Sequence, residues 1–125
     1  MELVRELSKL AVHLERARAY REDARRAKDS GSRIELWFLS AYHFIEACAA
    51  KHRLHIQQHR RVPAELKRDR TIFGERTNEV IEAFRYLDYD ARAKFVYGAS
   101  GTKADFERAR EYFDVVVEIC EARLQ

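Results

Sequence analysis

His52, His55 and His59 follow one another at spacings of three and four residues. On a continuing helix that spacing brings three imidazoles to one face. Three such nitrogens can hold zinc or another transition ion and leave an open position. No cysteine accompanies them and no acid lies between residues 52 and 59, so the same pattern describes an exposed basic surface. No metal and no cofactor is assigned. Arg53 and His59 also fit a loose pattern of arginine, four to six residues, histidine. Such a pair supplies a phosphate clamp and a proton-transfer group, the minimum for cleaving RNA through its 2′-hydroxyl. In a chain with 24 lysines and arginines and 5 histidines the match arises easily by chance. No serine or cysteine sits in a nucleophile motif, and the carboxylates are scattered as solvated charges are. The residues favour binding over catalysis.

The histidines belong to a segment with a strong charge imbalance. Between Lys51 and Arg70 there are seven lysines and arginines against Glu65 and Asp69, about +5 in a chain whose net charge is +3. Concentrated positive charge attracts phosphates and carboxylates. Arg53, Arg60 and Arg61 are the candidate charge donors here, with His59 for stacking or hydrogen bonding. A solvated helix end that balances an acidic remainder is the plainer account. No recognition helix, RNA-binding sheet signature or Gly-rich phosphate loop accompanies the segment. Further along, Arg92 and Tyr97 close the run Asp90-Ala91-Arg92-Ala93-Lys94-Phe95-Val96-Tyr97-Gly98. Phe95 and Tyr97 are expected to close one end of the core there, with Arg92 facing solvent or an acid.

The elements that must position these residues read as helices. Leu3, Leu7, Leu10, Leu14, Ala17 and Ala24 form one stripe on a helix over residues 2–28. Asp29-Ser30-Gly31 is expected to stop it, with Gly31 in the left-handed conformation. Ser32-Arg33-Ile34-Glu35 reads as a capping box opening a second helix. From Ile34 to Ala49 that helix is apolar on nearly every face, so it must be enclosed, at the centre of a bundle or between two subunits. Pro63 suits the first position of a short helix. Gly74 precedes a third long helix over 75–93, with Val80, Ile81, Phe84 and Leu87 inward. Gly98-Ala99-Ser100-Gly101 is a loop. Thr102 and Asp105 cap a last helix whose stripe is Phe106, Ala109, Phe113, Val116, Val117 and Cys120. No internal repeat is visible, and four long helices with short connections pack as an antiparallel bundle.

Length and composition agree with one all-α domain over 1–125. A chain of 125 residues, 46% hydrophobic, buries a core without disulfides or metals. Cys48 and Cys120 lie within apolar stripes and are expected to be buried thiols in a reducing cytoplasm. The start, Met1-Glu2-Leu3-Val4-Arg5-Glu6, puts charge where a signal peptide needs an apolar run, so none is expected. The most apolar stretch, residues 34–50, is interrupted by Glu35, Ser40, His43 and Glu46 and is not a membrane span.

Three segments together resemble the HEPN superfamily of small helical domains. Ser40-Ala41-Tyr42-His43-Phe44-Ile45-Glu46-Ala47-Cys48-Ala49 is similar to that family's aromatic second helix. His55-Ile56-Gln57-Gln58-His59-Arg60-Arg61-Val62 stands where many members carry a short histidine-containing loop. Arg92, five residues before Tyr97, resembles the arginine–tyrosine element after the third long helix. Together the three cover roughly residues 33–120. The resemblance implies a four- to five-helix antiparallel bundle, homodimeric, that acts on or binds RNA or nucleotides. It also implies a nucleotidyltransferase antitoxin as a partner, within a toxin–antitoxin module. Ribonuclease members carry their arginine–histidine motif late in the bundle. Here Arg92 has Tyr97 in that place, and no histidine follows His59.

The expectation is therefore a cytoplasmic HEPN-like binding module without catalysis. Its nucleotide or RNA contacts would be Arg53, His59, Arg60, Arg61, Arg92 and Tyr97. The alternatives are a metal-independent ribonuclease toxin and a structural assembly module whose basic loop docks an acidic protein.

Overall fold

The computed structural model describes residues 2–125, without the side chains of residues 2, 3 and 6. Leu3, the first member of the predicted stripe, lies outside the described side chains. Helix α1 spans Glu2–Arg26 and α2 spans Ser30–Lys51. After the loop that follows comes a 3₁₀ turn at His59–Arg61, and then α3, Val62–Arg68, with Pro63 in its first turn. A second 3₁₀ turn at Gly74–Arg76 leads into α4, Thr77–Arg85. The helix widens to a π turn over Tyr86–Ala91 and ends as α5, Arg92–Phe95. Helix α6 is Lys103–Leu124. The chain is all-helical, and no strand occurs among the described residues. No helix among them is long and apolar enough to cross a membrane.

The α1–α2 turn differs from the expectation at three points. Helix α1 ends at Arg26. Asp29 is the N-cap of α2, and its Oδ2 accepts the Ser32 amide at 2.9 Å while its Oδ1 accepts the Ser32 hydroxyl at 2.8 Å. Those bonds hold the Asp29 carboxyl below its ordinary pKa. Gly31 is inside the first turn of α2, not in a left-handed stop. A Cβ there would come within 2.7 Å of the Phe95 carbonyl oxygen, so glycine is required for the approach of α5.

Helix α2 is the centre of the molecule, as its composition demands. It packs on α1, α6, α4, α5 and the π turn, and thirteen of its residues are buried. Phe44 and Ile45 meet Phe73, Phe84, Leu66, Leu87 and Ile119 in one core, each side chain fully buried. Each such burial is worth roughly 1.5–3 kcal/mol. The apolar excess of α2 is thus absorbed within one chain, which removes the reason for placing it between two subunits. The stripe of α1 is buried only in part. Ala17 and Ala24 are fully covered, whereas Leu7 is 57% exposed beside Val4 and Val12.

The predicted caps and breaks fall near their places elsewhere. Thr102 and Asp105 form a reciprocal capping box on α6. Gly74 has φ +58° and faces the Arg123 guanidinium, whose Nη2 donates to the Phe73 carbonyl at 2.8 Å. The expected third helix over 75–93 starts at Thr77 and carries the π turn, which its stripe did not foretell. Both cysteines are free and buried, and burial pushes the Cys120 thiol well up.

Candidate functional site

The π turn brings Asp88 to the centre of a polar cluster. Three consecutive residues there, Tyr86, Leu87 and Asp88, are buried, and a wide turn inserted in an α-helix commonly marks a functional position. Asp88 divides its carboxylate between two elements. Oδ1 accepts from Arg92 Nη1 at 3.0 Å, one turn further along the helix. Oδ2 lies 3.1 Å from Nδ1 of His59, on the 3₁₀ turn after the loop. An ionised carboxylate can only accept, so His59 presents Nδ1–H to it, and Nε2 is the acceptor of a neutral ring. This is how a histidine is held in one tautomer for hydrogen bonding or proton transfer.

Arg92 is enclosed by further partners. Its Nε and Nη2 form a fork on Glu35 of α2 at 3.1 and 3.0 Å, and Nη2 also lies 2.9 Å from the Tyr97 hydroxyl. The guanidinium sits 4.1 Å from the centroid of the Phe38 ring and 5.4 Å from that of Tyr97. His59 meets the same Phe38 ring edge-on at 5.1 Å. Burial alone would lower the Arg92 pKa. The bonds to Glu35 and Asp88 outweigh it and hold the pKa above its usual value. Two carboxylates around one arginine leave that cation largely neutralised.

Of the six predicted contacts, His59, Arg92 and Tyr97 therefore meet at one place, although 38 positions separate the first from the last. Arg60 stands beside them, bonded through Nε to the Gln58 amide oxygen at 3.3 Å. With Tyr42, Gln57, Gln58 and His59 it lines a cleft of about 390 Å³. Arg61 is turned to α3, where buried Glu65 takes it at 2.8 Å and Arg68 at 2.7 Å. Arg53 is exposed at the end of α2, and no hydrogen bond or ion pair joins it to the cluster. Tyr97 is 73% exposed and so does not close the core; Phe95 packs on Phe106 instead.

The histidine run is broken up. Helix α2 stops at Lys51, and Arg53 and Gln57 adopt positive φ of 62° and 70°. His52, His55 and His59 consequently share no helix face. No group of three histidine, cysteine, aspartate or glutamate side chains among the described residues is arranged to hold a metal ion. What fixes the loop is Glu46, a residue the sequence reading did not single out for this role. Its Oε1 accepts the Ile56 amide and its Oε2 the Gln57 amide, each at 3.0 Å, and Oε2 also takes the Tyr42 hydroxyl at 2.8 Å. Burial and Glu46 together push the Tyr42 phenol upward.

A second histidine pair lies nearby. His13 of α1 and His43 of α2 meet through their Nδ1 atoms at 3.0 Å, stacked at 5.2 Å between ring centroids. One ring must donate and the other accept, so at least one is neutral. Burial, then His13 and Arg16, bring His43 down to about 4 against the opposing pull of Glu46.

Asp88, Glu35 and Phe38 were also missed as site residues. The available signals were the four-residue step from Asp88 to Arg92 and the acid Glu35 placed in an apolar helix. Compared with known proteins, the chain matches no protein-family model, no curated protein and no solved structure.

Proposed function

We propose that this chain is a HEPN-like module that binds RNA or nucleotide phosphates without cleaving them, in the cleft beside His59. The carrying observation is that Asp88 joins His59 and Arg92, with Tyr97 held on Arg92, next to the cleft lined by Arg60. Arg60 bonds a neutral amide there and keeps its charge for a phosphate. His59, fixed by Asp88, offers a directed hydrogen bond, and Tyr42 and Tyr97 offer rings for base stacking. Arg53 is exposed just after α2 and does not line this cleft. Arg92 acts as a strut, because its donors are already committed to Glu35, Asp88 and Tyr97. Arg92, the cation on the same carboxylate as His59, is already committed to Glu35 and Asp88 and so is not the donor that a developing phosphorane charge needs, which favours binding over cleavage.

The homodimer and the nucleotidyltransferase partner belong to the same HEPN reading, as does the toxin–antitoxin setting. With α2 enclosed, the apolar side chains α1 offers to a second copy are the exposed Val4, Leu7 and Val12. A second functional reading, a ribonuclease toxin, is favoured by the His59–Asp88 pair, whose geometry suits a general base. Anisotropy of a labelled single-stranded RNA tests the first reading. Saturable binding that falls about five- to tenfold in Arg60→Gln is expected. Incubation with total RNA separates the second: cleavage that disappears in His59→Ala transfers the site to the enzyme.

A further inference from the structure

Helix α1 is held to the molecule along one seam. It packs on α2, with no comparable packing on another element among the described residues. Of its described side chains only Ala17 and Ala24 are buried, and an alanine adds only a methyl group to a core. Leu14 packs against the core from a half-buried position, while Val4, Leu7 and Val12 are exposed. A helix that buries so little apolar surface opens locally at low cost. Away from the seam, α1 reaches α6 through the exposed pair Arg21–Glu121 at 3.3 Å, a weak tie.

Two polar contacts fasten the seam. The buried Ser40 hydroxyl donates to the Ala17 carbonyl at 2.6 Å, and one turn earlier on α1 His13 meets His43, Nδ1 to Nδ1, at 3.0 Å. Tyr20 and Tyr42 flank the His43 ring at 5.7 and 5.3 Å between centroids. The pair accommodates one bridging proton. A further proton on the outer nitrogen of the donor ring leaves that bridge intact. A proton on the accepting Nδ1 breaks it, because two N–H groups then face each other across 3.0 Å. The pair lines a surface pocket of about 410 Å³, through which solvent protons reach it. The other groups around that pocket do not relieve the clash. Lys9 and Arg16 of α1 are cations, and His55 of the loop adds to them when protonated. Tyr42 and Gln57 are neutral. Glu46 is the one carboxylate among the lining residues, and it already accepts from Tyr42 and two backbone amides.

We propose that the His13–His43 pair is an acid-released latch: when both rings are protonated, α1 lifts from α2 about the turn at residues 27–29 while the other helices stay folded. The latch does not rest on the reading given for the cleft beside His59. Burial, then His13 and Arg16, bring His43 to about 4 against the pull of Glu46, whereas a ring released to solvent returns to its ordinary 6.5. The lifted state therefore binds more protons between those values, and acid favours release. His43 alone raises the opening constant of α1 about twentyfold between pH 7 and pH 5. His13, also lowered by burial, acts in the same direction.

Hydrogen exchange of the full chain at pH 7, 6 and 5, corrected for the intrinsic rate, tests this. The amides of α1 from Leu10 to Ala24 should open together, about twentyfold more at pH 5 than at pH 7, while those of α6 keep their protection. Trp37, the single tryptophan, borders Arg21, Ala24 and Arg25 of α1, so its emission should shift to the red over the same interval. In the double variant His13→Asn, His43→Asn, two amides replace the rings, and the pH response of α1 should vanish. If that variant does not fold, the wild-type comparison of α1 with α6 decides. Constant protection of α1 from pH 7 to 5, or equal loss in α1 and α6, overturns the proposal. So does a response that survives in the double variant.

Discussion

Asp88 stabilises the site only while both of its partners are present, because a buried carboxylate without a cation is costly. Arg92→Ala strips the cation from Asp88 and Glu35 together and should cost about 3 kcal/mol in denaturant unfolding. Arg92→Lys should recover less than half of that, since an ammonium cannot form the fork on Glu35. Equal stability of all three proteins would remove the cluster as a structural centre. The His13–His43 pair makes a different prediction, read in pH. The folded value of His43 is about 4, below its ordinary 6.5, so the unfolded chain binds more protons between those values. Stability is therefore full above about 6.5 and declines as pH falls toward 4, by roughly 1–3 kcal/mol. Denaturant midpoints across that window check it, and His43→Asn should flatten the decline.

At the scale of elements, the close approach of α5 to α2 is decided by Gly31. Alanine is the better helix former by up to about 1 kcal/mol. The clash with the Phe95 carbonyl should nevertheless make Gly31→Ala destabilising, by about 1–3 kcal/mol. A more stable variant would mean that the two helices separate freely. Glu46 sets the loop between α2 and the 3₁₀ turn. In Glu46→Ala the Ile56 and Gln57 amides should lose hydrogen-exchange protection, while the core amides of α2 keep theirs. Much of this layout was legible beforehand, because apolar stripes and the caps Pro63 and Thr102 act over a few residues. The enclosure of α2 followed from its composition. Its interruptions carried more than was read from them. Glu35 holds Arg92, Ser40 donates to the Ala17 carbonyl, His43 meets His13, and Glu46 ties the loop. Their partners lie at least ten positions away, and single-chain periodicity does not encode which distant residue a buried polar group meets. The π turn and the positive φ at Arg53 and Gln57 were hidden for the same reason. The spacing of His52, His55 and His59 would suit a continuing helix, but α2 stops at Lys51 and Glu46 holds the Ile56 and Gln57 amides beyond it.

At the scale of the whole molecule, the cationic surface divides in two. The segment from Lys51 to Arg70 carries the sequence's charge excess, but Arg61 and Arg68 spend theirs on Glu65. The arginines of α1, α2 and α6 gather on another face, where no single stretch of sequence is conspicuously basic. Assembly can be read by sedimentation. A homodimer joined through α1 should become monomeric in Leu7→Glu, and a monomeric wild-type chain at micromolar concentration would remove that contact. The most direct measurement of the central claim is the salt dependence of single-stranded RNA binding at the His59 cleft. Affinity should fall linearly on logarithmic axes, with a slope of about 0.7 per phosphate contacted. It should also drop at every salt concentration in the His59→Gln, Arg60→Gln double variant. Absence of saturable binding at the lowest salt, or a curve that the double variant leaves unmoved, would contradict the account.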